Sequence, residues 1–260
     1  MAITSLVTPL TRQTLSADVY SQLRDLLMNG RVMPGEQLSL RTMAEALHVS
    51  VMPVREAMQR LVAEQALELA SNRVLRVPVM TVSQFLEITS IRINLEGLAT
   101  ARTAATMDEQ GYEEVLALHE RFAHEMSLKR PDQSRLVAAN KELHFAIYRR
   151  ARMPMLMQMI ESMWLRVGPI INYDLRNDSA RVTERVSANH HGALVDALKK
   201  KDAAAAIQAL SADIQGAADY IVSTGALVAV DEPVAAHEGR NAGASPTKRK
   251  GRAAAVLASL

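Results

Sequence analysis

Four polar side chains in the second half of the sequence are spaced so that a helical bundle could gather them. Asn140 and His144 stand four residues apart in NKELHFAIY, on one face of a helix. His191 sits in NHHGALVDAL and Asp213 in IQALSADIQGA. If the helices carrying them form an antiparallel hairpin turning near Lys201, His191 lies about ten residues before the turn and Asp213 about twelve after it. At ~1.5 Å per residue both then stand ~15–18 Å from the turn, at one level. Imidazoles with oxygen donors suit a divalent ion such as Zn, Ni, Mn or Fe. The same residues could instead make a hydrogen-bonded polar pocket without an ion. His190 points about 100° away from its neighbour and is expected at the surface.

A second set lies near the N-terminus, around VSVMPVREAMQRL. Ser50 can cap a helix there, and Pro53 is tolerated in its first turn. Val54, Met58, Leu61 and Val62 share one face of that helix, and Arg55 falls on the other side. Before it, Ser39 can cap LRTMAEALH, which carries Arg41, and MPGEQLS reads as a turn. An earlier helix starts near Ser16, a plausible cap, and ends at Gly30. After it, two short strands are expected at about 67–70 and 74–79. Three short helices and a two-stranded wing make a winged helix-turn-helix. Its second helix enters the major groove, whose base edges distinguish all four pairs. Ser50 and the neighbouring amides suit a phosphate. Arg55 and Arg41 reach bases or phosphates, and Arg73, at the wing tip, lies over the minor groove.

Long helical segments follow, at about 82–105, 108–128, 134–151, 154–173, 180–199 and 202–223. The expected class is therefore mainly α. A flexible arm occupies 1–15, a winged helix-turn-helix 16–79 and an all-helical bundle 82–223, and a disordered tail 224–260 contains the basic cluster KRKGR. The methionines of RMPMLMQMIESMW are expected to be adaptable core packing. Composition agrees: of 260 residues 48% are hydrophobic but only 3% aromatic, which favours helix over strand. With no cysteine there is no disulfide and no thiolate metal site. Lys plus Arg number 30 against 28 acids, so a DNA-binding surface must be local. No secretory leader or membrane-length apolar run is seen, and a cytoplasmic protein is expected.

The stretch MPGEQLSLRTMAEALHVSVMPVREAMQRLVAEQAL resembles the DNA-binding signature of GntR-family bacterial transcription regulators, through PGE-x-L-S, M-A-E-x-L-x-V-S and P-V-R-E-A-M-x-R-L. The resemblance implies DNA contacts by Arg41 and Arg55. Two departures from it matter: Val51-Met52 stand where the family usually has Arg-Thr, and Val74 where the wing usually has Gly. Residues 82–223 resemble the FCD ligand-binding domain of the FadR-type subgroup, through SIRINLEGLATARTAA, NKELHFAIYRRA and HGALVDALKKKDAAAA. That domain's metal-binding members hold an ion with one Asp and three His. His144 and His191 match outright, Asn140 stands where Asp is usual, and Asp213 where the third His is usual. The cavity takes a small organic acid, and Arg92 matches an arginine that can face it, with a fork suited to a carboxylate. An interhelical salt bridge is the other role open to Arg92.

The resemblance implies a ligand-responsive transcription regulator, a repressor by the family's common mode and not an enzyme. It would bind a short palindrome in double-stranded DNA as a homodimer. A metal-dependent enzyme on the bundle, or an interaction module that has lost DNA binding, are the alternatives.

Overall fold

A computed structural model describes residues 15–70, 74–171 and 184–228. The N-terminal unit holds α1 (Leu15–Met28), β1 (Gln37–Leu38), α2 (Leu40–Ala46), α3 (Val51–Ala63), β2 (Glu68–Leu69) and β3 (Leu75–Arg76). Val19, Leu23, Leu26 and Leu27 recur at helical spacing on α1 and are buried, and the helix packs on α3. At its end Gly30 takes φ +55, its N–H bonds Leu27 O at 2.8 Å, and Arg31 N–H bonds Leu26 O at 2.8 Å. This 5→2 and 6→1 pair closes the helix through the one residue type that adopts a left-handed φ without penalty. Ser39 caps α2 by accepting from Thr42 N.

Among the described residues, six helices form the second unit: α4 (Val82–Thr106), α5 (Glu109–Ser127), α6 (Gln133–Arg150), α7 (Pro154–Ile171), α8 (Val186–Lys199) and α9 (Ala203–Ser223). Their starts are written in short polar side chains. Thr81 and Gln84 form a capping box on α4, and Asp108, Asp132 and Asp202 cap α5, α6 and α9. The α8–α9 hairpin turns at Lys201, at φ +56. Helix α4 lies against α9, α7 and α6, and its buried stripe is partly polar: Thr89, Arg92, Glu96, Thr100 and Thr103. No helix among the described residues is long and apolar enough to cross a membrane.

The N-terminal unit is docked on the bundle. One apolar cluster runs from Val19 and Met58 through Trp164 to Leu210 and Ile214. The seam is α1 against α7, where Gly168 sits on the backbone of Leu27 and Met28. Arg24 pairs with Glu161 of α7 at 2.7 Å across it, and beside it Asp25 pairs with Lys141 of α6 at 3.2 Å.

Several expectations are corrected. Ser16 is not a cap: the helix already includes Leu15, and the Ser16 hydroxyl turns to Glu56 and Pro53 O on α3. The PGEQLS turn contains a third strand. β1 pairs antiparallel with β3 (Gln37 with Arg76, Leu38 with Leu75), and the sheet order is β1-β3-β2. Ser50 holds the cap position of α3 but makes no side-chain cap bond. The third helical residue is Pro53, which lacks one of the two N–H groups that such a cap bonds. The methionines of α7 are only partly core: Met155 and Met159 are exposed. The tail does not begin at 224. Leu227 is buried, and Val228 bridges in parallel to Thr81, with Val82 N–H on Val228 O at 3.1 Å. The arm, Arg73 at the wing tip, the start expected at 180 for α8, and the KRKGR cluster lie outside the described residues.

Candidate effector cavity and nucleic-acid interface

Helices α4, α6, α7, α8 and α9 bring a buried polar cluster to one level of the bundle. His144 on α6 and His191 on α8 have ring centroids 5.0 Å apart at 81°. Each points its Nε2 at the same atom, Asp213 Oδ2 on α9, at 3.4 Å. The three ligand atoms lie within 4.8 Å of one another, and all three residues are buried. Asn140 is half-buried one turn before His144, and both line the cavity with Asp213. The height argument from the hairpin therefore brings all four residues together.

The twin 3.4 Å spacing is informative. It is longer than a good N–H···O bond, which clusters near ~2.9–3.0 Å. Two ligands at ~2.0–2.1 Å from a tetrahedral ion stand ~3.3–3.4 Å apart. Both ring nitrogens of His191 are buried with no hydrogen-bond partner among the described residues. A buried polar group without a partner costs roughly 1–3 kcal/mol, and an ion on Nε2 would offset part of that. Two imidazoles, one carboxylate and the Asn140 amide oxygen are donors that a first-row divalent ion accepts. The residues present fit such an ion.

Electrostatics agree. Burial would raise the Asp213 carboxyl, but His191 and His144 against it hold it well below the usual carboxylate range. Burial pushes the His191 imidazolium down, outweighing the pull of Asp213. The set thus presents an ionised carboxylate and a neutral imidazole, the forms that ligate.

Around this set stands a second layer. His144 Nδ1 lies 3.1 Å from the Tyr148 hydroxyl, which donates to Glu96. Glu96, fully buried, also accepts from Trp164 Nε1 at 3.0 Å and from Arg92 Nε at 2.7 Å. Arg92 is buried, lies 5.0 Å over the Trp164 ring and lines the cavity. It lines the cavity, and its ion pair is not the interhelical one expected but is made with Glu96, one turn along its own helix. Burial and then Glu96 raise the Tyr148 phenol well above its ordinary value, which keeps it a donor. The cavity enclosed by Phe85, Trp164, Ile171 and these groups is only about 30 Å³. That is room for one or two water-sized groups, not for an organic acid.

His119 on α5 was not anticipated. Its ring centroid is 6.5 Å from that of His191, its Nδ1 is buried with no hydrogen-bond partner among the described residues, and burial lowers its pKa. The one hint in the sequence is its spacing from Phe122, whose ring also packs on His191 at 4.7 Å.

At the other end of the molecule the start of α3 is bare. Ser50, Val51, Met52 and Arg55 are all exposed there, with Met52 at 59%. Arg41 on α2 is exposed and only loosely held by Glu45 at 3.4 Å. Arg60, farther along α3, is engaged internally. It stacks 3.7 Å over the Tyr20 ring and bonds Glu64, and Glu64 accepts from the Tyr20 hydroxyl at 2.7 Å. Burial, then Glu64, pushes that phenol up to about 12.

Comparison with known proteins gives matches along most of the chain. Residues 15–77 match the family described as bacterial regulatory proteins, gntR family, and residues 87–216 match the FCD domain. The HTH-type transcriptional regulator McbR of Escherichia coli strain K12 is 34% identical over 190 residues, 73% of this chain and 84% of that protein. The HTH-type transcriptional repressor GlaR of the same strain is 24% identical over 163 residues, 58% of this chain and 74% of its own. The solved structure of E. coli McbR/YncC superposes with a TM-score of 0.76 at 30% identity, covering 82% of this chain and all of that one.

Proposed function

Because the chain belongs to the gntR family of bacterial regulatory proteins and is a ligand-responsive, DNA-binding transcription regulator, we propose that it is a cytoplasmic homodimeric repressor, not an enzyme, released from a palindromic operator by a small organic acid. A divalent ion held by His144, His191 and Asp213, with Asn140 beside them, anchors the acid's carboxylate. Arg92 supplies the second charge-assisted contact. The observation that carries this reading is the pair of 3.4 Å approaches to one Asp213 oxygen inside a cavity that Arg92 also lines. On the operator, the start of α3 reads base edges. Ser50 and the neighbouring amides take a phosphate, and Arg55, Arg41 and Arg73 supply cationic contacts.

Two measurements test it. Footprinting on DNA flanking the protein's own gene, at two salt concentrations, is expected to show a protected palindrome that Arg55→Ala loses while staying folded. A protected site unchanged in that variant would remove Arg55 from the interface. Metal analysis of the full chain is expected to give about one ion per chain, lost in His144→Gln and His191→Gln. A metal-free parent in buffer supplemented with each candidate ion would leave the cluster as a hydrogen-bonded pocket.

A further inference from the structure

A second cluster of like charge lies where α4 and α6 end. Arg102, Arg149, Arg150 and Arg152 line one cleft of about 670 Å³. Arg150 is built in: its guanidinium bonds Glu114 at 2.6 Å and Asp108 at 3.3 Å. It also presses on α5 so closely that a Cβ on Gly111 would fall 2.2 Å from its Nη1. Its buried Nε has no hydrogen-bond partner among the described residues.

The two carboxylates of the cleft are thus both spent on Arg150. The guanidiniums of Arg102, Arg149 and Arg152 are exposed, and none is in an ion pair with a described residue. Arginines at helix C-termini have a bland role, because each helix end carries about −0.5 of a charge. Two helix ends call for about one cation, and here three stand without an ion pair among the described residues, Arg149 lying 5.7 Å over the Phe145 ring. Arg152 is moreover held at φ +53, a conformation that a non-glycine side chain enters at some cost. The floor is rigid, since the buried Thr103 hydroxyl ties α4 to α6 through Ile147 O at 2.7 Å.

We propose that this cleft is a second ligand site, for a small multivalent oxyanion, separate from the cavity around Asp213. Guanidinium forks match phosphate and carboxylate oxygens two at a time. The cleft has the volume of a small-molecule site, within roughly 300–1,000 Å³. It also lies at the end of α4 remote from the wing. Over 25 residues that helix spans roughly 36 Å from its junction at Thr81. Those two features favour a small anion over the backbone of operator DNA. An occupant would pin the end of α6 to the end of α4, the two helices that carry His144 and Arg92.

Calorimetric titration of the full chain with pyrophosphate, and separately with citrate, at an ionic strength fixed with chloride, decides this. The parent is expected to bind at least one of them saturably at one site per chain. Arg149→Ala/Arg152→Ala, both exposed positions, is expected to bind at least about tenfold more weakly, the loss of one or more charge-assisted hydrogen bonds. Arg149→Lys/Arg152→Lys falls between, since it keeps charge and loses the fork, and His144→Ala binds as the parent does. Preference between the two probes tells a phosphate site from a carboxylate site. No saturable heat in the parent overturns the proposal, as does equal binding by a folded double-alanine variant. Binding lost equally in His144→Ala would mean that the probe occupies the inner cavity, and also overturns it. If neither probe binds but the double-alanine variant weakens binding to DNA of any sequence, the cleft touches nucleic acid instead.

Discussion

His119 and His191 are two imidazoles that the fold keeps below their ordinary protonation range by burial. Each takes up a proton more readily in the unfolded chain than in the folded one. Below the unfolded value of 6.5 the unfolded state therefore binds more protons, and stability falls as pH drops. Asp213 shifts downward too, so its own loss comes only at still lower pH, beneath the ordinary carboxylate range. In chelator, the melting temperature is expected to fall between pH 7 and pH 5, and less steeply in His119→Gln, which leaves the three ligands in place. Equal slopes would show that His119 charges as freely in the native state as out of it. A second residue-scale prediction concerns Val51 and Met52, exposed at the start of the reading helix. Apolar side chains at such a position suit thymine methyls, and one base contact discriminates by roughly 1–3 kcal/mol. Selection from random DNA is expected to return a thymine-bearing half-site for the parent and a guanine at the matching position for Met52→Arg. The same half-site from both would take Met52 out of base readout. Residues of this kind were only partly legible in advance. His191 and Asp213 can be set at one level by counting from a hairpin turn, and His144 joins them through the FCD resemblance. Glu96 and Tyr148 stand four residues after Arg92 and His144, a legible spacing to which no role was given, whereas Trp164 and His119 come from other helices, where no spacing rule reaches.

At the scale of elements, periodicity placed the long helices because it is local, and their caps, though equally local, were not named in advance. Asp108, Asp132, Thr81 and Asp202 each sit just before a helix whose apolar positions repeat. Strand β1 escaped because two residues carry no alternation, and it exists only through its pairing with β3, nearly forty residues on. The α1–α7 seam escaped for a related reason: contact between distant helices is decided by shape. Gly168 shows how tight that shape is. A Cβ there would lie 2.4 Å from Leu27 O and 2.8 Å from Met28 Cα, both backbone atoms that cannot swing aside. Gly168→Ala is expected to push α1 off α7 and to cost about 1–3 kcal/mol. Thermal unfolding should show this as a melting temperature lower by several degrees, with proteolysis faster at the seam. An unchanged melting temperature would mean that α1 and α7 separate by a methyl group's width at no cost.

For the whole molecule, the order of a reading head before a helical bundle was legible, and the docking of one on the other was not. That docking gives α7 two duties. Trp164 and Ile171 wall the cavity, while Glu161 and Gly168 face α1, which in turn carries α3. A cavity of about 30 Å³ cannot admit an organic acid unless its walls part. If Trp164 moves, α7 moves, and the seam passes that motion to the head. An effector acts only through its different affinities for the two arrangements, typically ~1–3 kcal/mol of coupling. The ion pairs Arg24–Glu161 and Asp25–Lys141 are part-exposed, worth roughly 0–1 kcal/mol each. That is too little to unfold the protein and comparable to the coupling. Arg24→Ala/Asp25→Ala is therefore expected to keep the parent's operator affinity within about threefold. It should lose much of the change produced by an organic acid that raises the parent's melting temperature. Operator titrations of parent and variant, each with and without that acid, measure both quantities. If the acid shifts the two proteins equally, the signal does not cross at α1 and α7. The remaining covalent route from bundle to head would then be the Val77–Thr81 segment, which ties the wing to the start of α4 and to Val228.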